Sequence, residues 1–164
     1  MRLPLPKPLR LVLPLLPFAM LGVQPAAAAD VLELARQDGR FTRFIEMAEA
    51  SGLSDRLEGR GPFTVFIPVD EGFAELEPAQ AQRLDSASHA TLERWVAYHA
   101  VPALIVRDEV VHTPVVPALT QQLRLVDDGE RFSVNGREVI EADLRADNGV
   151  IHVIDAPLVP HFPY

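Results

Sequence analysis

The sequence predicts an α+β domain in which helices come first and an antiparallel meander follows. Three observations carry this. Between Asp30 and His99 apolar residues recur at helical spacing, and after Pro102 they alternate with polar ones. The alternating part is punctuated by the turn pairs Asp128-Gly129, Asn135-Gly136 and Asn148-Gly149. Helices gathered ahead of the meander, with one early strand at Phe63 that must find a partner, make an α+β pattern rather than an alternating βαβ one.

The domain begins after a leader. Arg2, Lys7 and Arg10 make a basic opening, Leu11 to Val23 is apolar but broken by Pro14 and Pro17, and Ala26 to Ala29 supplies small residues. That three-part pattern is a secretory signal peptide over residues 1–29, cleaved after Ala29, leaving 30–164 as one domain. The apolar run is short and proline-broken for a membrane span, so an uncleaved anchor is the second reading. The net charge of −8 becomes more negative without the leader, which excludes nucleic acid and disfavours anionic membranes as partners. The chain has no cysteine. An exported protein without disulfides or a lipid-carrying cysteine must be stabilised by packing alone. A soluble product, periplasmic or released, is expected.

Along the domain, Asp30 caps a first helix with Glu33 as box partner, and Gly39 ends it. Phe41, Phe44, Ile45 and Ala48 form the apolar stripe of a second helix, closed by Gly52, and Leu53 to Leu57 adds a turn. Glu58 to Pro62, with two glycines and a proline, is a loop. Phe63 to Ile67 is a strand whose length is limited by Pro62 and Pro68. A helical turn starts at Asp70 with Phe73 and Leu76 on one side, and Pro78 opens a short helix over Ala79 to Leu84. Leu92, Trp95, Val96 and His99 mark a longer helix that stops before Pro102.

The meander contains Leu123 and Leu125, Phe132 and Val134, Val139 to Leu144, and finally Val150 to Ile154. In that last strand no polar residue alternates, so both faces are expected to be buried and the strand central. Ile105-Val106 and Val110-Val111 are candidate short edge strands, kept from the centre by Pro102, Pro114 and Pro117.

Three stretches together resemble the fasciclin (FAS1) domain family: FTVFIPVDEGF from Phe63 to Phe73, Tyr98-His99 followed by Ala100-Val101-Pro102, and NGVIHVIDAPLVP from Asn148 to Pro160. The resemblance covers essentially the whole of 30–164. It implies a wedge in which a β-sandwich is flanked by N-terminal and central helices, with the first and third signature strands adjacent. It also implies an exported, non-catalytic protein of adhesion and matrix contacts. The signature residues Thr64, Pro68, Asp70, Phe73, Tyr98, His99, Pro102, Asn148, Gly149, His152 and Asp155 are then structural positions of the family motif. Val69 stands where the family has a capping threonine or asparagine, so Asp70 either takes over the cap or the turn starts weakly. Gly72 replaces a usual alanine, at a helix-propensity cost of about 1 kcal/mol. Ala103 stands where a glycine often follows the proline. No receptor-binding motif of the family carries over.

Candidate chemistry is sparse. The histidines, 89, 99, 112, 152 and 161, share no HxH or HxxxH spacing, so no metal is expected. His99 and His152 are better read as core residues that satisfy both ring nitrogens, His99 linking the helix end to the early strand with Asp70 or backbone as acceptor. No G-x-S-x-G occurs, no glycine pattern cradles phosphate, and Asp127-Asp128-Gly129-Glu130 is a hairpin turn instead of a calcium loop. Trp95, Phe41, Phe44 and Phe73 read as core. No cofactor is expected. The function expected is a binding module for an unidentified surface protein or polysaccharide, its oligomeric state open, with a periplasmic small-ligand or lipid-binding module as the alternative.

Overall fold

A computed structural model describes residues 29–112 and 114–160. The expected leader, apart from Ala29, and His161 lie outside the described residues. Five helices, α1 (Val31–Asp38), α2 (Thr42–Ala50), α3 (Ser54–Leu57), α4 (Pro78–Asp85) and α5 (His89–His99), accompany seven strands. These are β1 (Phe63–Pro68), β2 (Ala100–Val101), β3 (Val115–Pro117), β4 (Gln122–Asp127), β5 (Phe132–Val134), β6 (Arg137–Ala146) and β7 (Gly149–Ile154). Two 3-10 helices, Asp70–Glu75 and Arg107–His112, complete the chain.

The strands lie in the order β2-β1-β7-β6-β5-β4-β3. From β3 to β7 neighbours pair antiparallel, the expected meander. β1 then joins β7 in parallel, from Phe63 opposite Gly149 to Pro68 opposite Ile154, so the sheet is mixed. All six residues of each of these two strands are buried. Alternation divides them between two cores. Val65, Ile67, Ile151 and Val153 pack with Phe41, Phe44, Leu57 and Val96 of the helices. Phe66 and Ile154 pack on the other side with Leu123, Leu125, Phe132 and Val134 of the meander. The uninterrupted apolar run in β7 is thus the signature of a strand buried on both faces.

Several local expectations are corrected. The strand limit at Ile67 is one residue short, because Pro68 closes β1 opposite Ile154 and the ladder resumes through Val69 N–H to the Ile154 carbonyl at 3.2 Å. A proline at a strand end forfeits little. Ile105-Val106 is not a strand, and Val110-Val111 belongs to a 3-10 helix. The physical reason is that side chains serve this backbone instead of a ladder. Thr64 Oγ1 donates to the Ala103 carbonyl at 2.7 Å and accepts from Ile105 N–H at 2.9 Å. Arg107 forks onto both oxygens of Asp127 at 2.7 and 3.0 Å, tying the 3-10 helix to β4 and holding that carboxylate below its usual range. The edges are β2 and the proline-flanked β3.

Asp70 does not cap its own turn. Its two carboxylate oxygens accept from Thr42 N–H and Arg43 N–H at 3.0 and 2.9 Å, so it caps α2, whose own N-cap residue, Phe41, offers no side-chain acceptor. Gly72 is likewise not a lapse of helix propensity. A Cβ there would lie 2.0 Å from the Asp155 carbonyl oxygen, so only glycine lets the turn approach the end of β7.

Candidate functional site

The first turn of β7 organises the described surface around it. Asn148 accepts from Val31 N–H through Oδ1 at 2.9 Å and donates through Nδ2 to the carbonyls of Leu57 and Gly59 at 2.7 and 2.8 Å. Its own carbonyl accepts from Phe63 N–H at 2.9 Å. One residue therefore joins the start of α1, the end of α3, the 58–62 loop and β1. Backbones meet here without side chains between them. A Cβ on Gly61 would lie 1.9 Å from the Asn148 carbonyl oxygen, and one on Gly149 would lie 2.0 Å from that of Phe63.

Beside this close lacing lies a groove of about 660 Å³ lined by the 58–62 loop, residues 145–149 and Leu104. That volume is within the range of sites that hold a ligand. Pro62 and the 47% exposed Leu104 supply apolar surface. Arg60 and Arg145 are exposed residues of the lining, and neither makes an ion pair among the described residues. Of the two acidic residues lining it, Glu58 is held by Arg36 at 2.7 Å, while the carboxylate of Asp147 is exposed. The groove thus presents two arginines and two carboxylates on a strongly acidic protein.

Only Asn148 and Gly149 among the motif residues line this groove. The others lie elsewhere. Tyr98 accepts through its hydroxyl from Asn135 Nδ2 at a second, smaller and more polar cleft. Phe73 packs with Leu76, Leu84 and Trp95, under the guanidinium of Arg43. Pro102 is exposed just past β2. Asp155 accepts from Glu138 N–H, at the far end of β7. Arg60, Leu104 and Arg145 were not singled out by sequence. The only signal for them is the glycine-rich 58–62 loop, which says nothing of what it faces.

The two buried histidines hold opposite tautomers. Leu158 N–H donates to His99 Nε2 at 2.9 Å, so Nδ1 carries the proton and donates to the Trp95 carbonyl at 2.7 Å. His99 therefore ties α5 to the C-terminal segment, correcting the expected link to Asp70 or the early strand. Asp143 N–H donates to His152 Nδ1, leaving Nε2–H to donate to the Ile105 carbonyl at 2.8 Å. Burial drives the pKa of His99 down to about 4 and lowers that of His152. A second proton on either ring would face a backbone N–H, which is the local reason the charged form is disfavoured. These rings are neutral struts. Among the described residues no group of three or more His, Asp or Glu side chains is placed to hold a metal ion, and no helix is long and apolar enough to cross a membrane.

Helices packed on a mixed sheet, with β1 and β7 paired in parallel at its centre, define an α+β domain. The model of the fasciclin domain matches residues 39–160. The protein sll1735 of Synechocystis sp. is 35% identical over 126 residues, covering 77% of this chain and 94% of that one. The fasciclin-like arabinogalactan protein CTB11 of Cercospora beticola is 37% identical over 135 residues, 80% of this chain but 34% of its own longer one. Among solved structures, a FAS1 domain pair from the insect cell adhesion molecule fasciclin I superposes with a TM-score of 0.68 at 22% identity, covering 80% of this chain and 51% of that one. The chain belongs to the fasciclin domain family.

Proposed function

We propose that this protein is an exported, non-catalytic binding module that mediates cell-surface or matrix adhesion through contacts with a protein or polysaccharide. The observation that carries the reading is the groove itself: apolar and charged groups are presented on a framework fixed by Asn148. Fasciclin domains occur in cell adhesion proteins, the insect molecule above among them, which supports the class of function. The groove opens at the surface beside the sheet, not between helices and sheet, and this favours a macromolecular partner over an enclosed lipid or small ligand. One domain offers one site, so bridging two surfaces requires an oligomer or a second partner.

The test is capture from envelope and matrix extracts by the wild-type protein and by Leu104→Asp, which changes an exposed side chain and leaves the core intact. A component retained by the wild type and lost by the variant supports the reading; a wild type that retains nothing contradicts it. Residues 1–29 are read with it as a leader removed on export, which the intact mass of the exported protein tests.

A further inference from the structure

We propose that the cleft of Tyr98, Asn135 and Arg137 binds a small hydroxy acid, with the carboxylate held by Arg137. The cleft has a volume of about 460 Å³, within the range of small-ligand sites. It shares no lining residue with the groove beside Asn148, so it stands independently of the adhesion reading. No carboxylate is among the described residues that line it.

The hydrogen-bonding capacity left over in the cleft selects the ligand. Arg124 N–H donates to Asn135 Oδ1 at 2.8 Å, and Glu77 N–H donates to Gln80 Oε1 at 3.2 Å. A backbone N–H can only donate, so both amides are oriented and the acceptor end of each is occupied. Asn135 Nδ2 then donates to Tyr98 Oη at 2.6 Å, which leaves the phenol's own proton without a partner among the described residues. Also uncommitted there are the second Asn135 N–H, both side-chain N–H groups of Gln80, and the guanidinium of Arg137, which makes no ion pair. Against these donors, the exposed Gln122 is the one lining residue that adds a free side-chain acceptor among those described.

One fixed cation, several neutral donors and no carboxylate suit an acceptor carrying a single negative charge. The planar fork of a guanidinium matches a carboxylate with two parallel hydrogen bonds. The neutral donors decide the rest of the molecule. An alkyl tail would cover them without offering an acceptor, and each donor buried unpaired weakens binding. Hydroxyl oxygens accept from them instead. The frame is held in place on two sides. Asn135 at φ +48° and Gly136 at φ +80° form the tight turn of the β5–β6 hairpin, and His99 accepts the N–H of Leu158, another lining residue, at 2.9 Å. The protein's net charge of −8 opposes anions at long range, so a doubly charged ion gains less here than a monocarboxylate.

The experiment is a titration of the protein, as processed by an expressing cell, with gluconate at low ionic strength and near-neutral pH, followed by amide NMR shifts. Sorbitol is the comparison that lacks only the carboxylate, and inorganic sulfate is the non-planar dianion. Saturable shifts are expected at residues 135–137 and 158–159, with none from sorbitol and weaker binding of sulfate. Arg137→Gln should weaken gluconate about tenfold and Tyr98→Phe about fivefold, with the thermal melt unchanged. Arg56→Gln, which removes an exposed charge outside the cleft lining, should bind as the wild type does. No saturable shift, sorbitol or sulfate binding as tight as gluconate, or undiminished binding in Arg137→Gln would each overturn the assignment. So would gluconate shifts confined to residues 58–61 and 145–149.

Discussion

His152 accepts the backbone N–H of Asp143 at 3.2 Å, and Asp143 is the residue at φ +62° where β6 bulges away from β7. Pairing slips twice along these strands, from Val139 opposite Ile154, to Glu141 opposite Val153, to Leu144 opposite Ile151. A bulge leaves backbone groups without a ladder partner. The imidazole takes one of them and passes its other nitrogen to Ile105, joining the bulge to the loop after β2. The polar exception in an apolar strand thus repairs the sheet's own irregularity.

The first prediction concerns acid. Folding lowers the pKa of His99 from 6.5 to about 4, and that of His152 in the same direction. The unfolded chain therefore binds more protons, so stability is fully present above about pH 6.5 and falls as pH drops toward 4. His99 alone accounts for about 3 kcal/mol across that window. His99→Phe should flatten the slope. At pH 7 it should also cost about 2–3 kcal/mol, because it leaves Leu158 N–H and the Trp95 carbonyl unpaired. Urea unfolding between pH 4 and 7.5 measures both; a variant as stable as the wild type would show the ring is dispensable.

Asp70→Ala should destabilise by about 1–2 kcal/mol, the range for loss of a helix N-cap. The discriminating observation is where the loss appears. Amide exchange should accelerate at Thr42 and Arg43 in α2 rather than in the turn that Asp70 itself begins.

Gly72→Ala runs against helix propensity. On propensity alone it stabilises, yet the added methyl would meet the Asp155 carbonyl. A loss of about 3 kcal/mol, the upper range for overpacking, is expected in thermal or denaturant unfolding. An unchanged or raised Tm would mean that the turn and β7 do not approach so closely.

Asn148→Ala removes an acceptor for Val31 and a donor to two carbonyls. Unfolding should lose about 3 kcal/mol, and limited proteolysis should shift to the 58–62 loop. Cleavage unchanged at that loop would show that it is fixed by other contacts.

These residues also mark how far the sequence could be read. β7 was legible because five consecutive apolar or core positions have only one home, a strand covered on both faces. The meander was legible because Asp128-Gly129 and Asn135-Gly136 restrict their turns; the third turn is Asp147-Asn148 instead of Asn148-Gly149, and Gly149 opens β7 without a positive φ. The pairing of β1 with β7 came from family resemblance, since no local pattern encodes a partner more than eighty positions away. The cap that Asp70 gives α2 was hidden for the same reason, and so was the need for glycine at 72. Residues 103–112 misled because their valines and isoleucine favour strands, while the hydroxyl of Thr64 and the carboxylate of Asp143 take the backbone groups of Ala103, Ile105 and Arg107 instead. The groove was least legible: Arg60, Leu104 and Arg145 are ordinary surface residues until the chain brings them together.

On the proposed function, this domain meets its partner at the groove beside Asn148. Hydrogen–deuterium exchange of the protein alone and with its captured envelope component tests it most directly. Protection is predicted at the amides of residues 58–61 and 145–149 and around Leu104. Protection confined to the cleft of Tyr98, Asn135 and Arg137, with the groove unchanged, would contradict it.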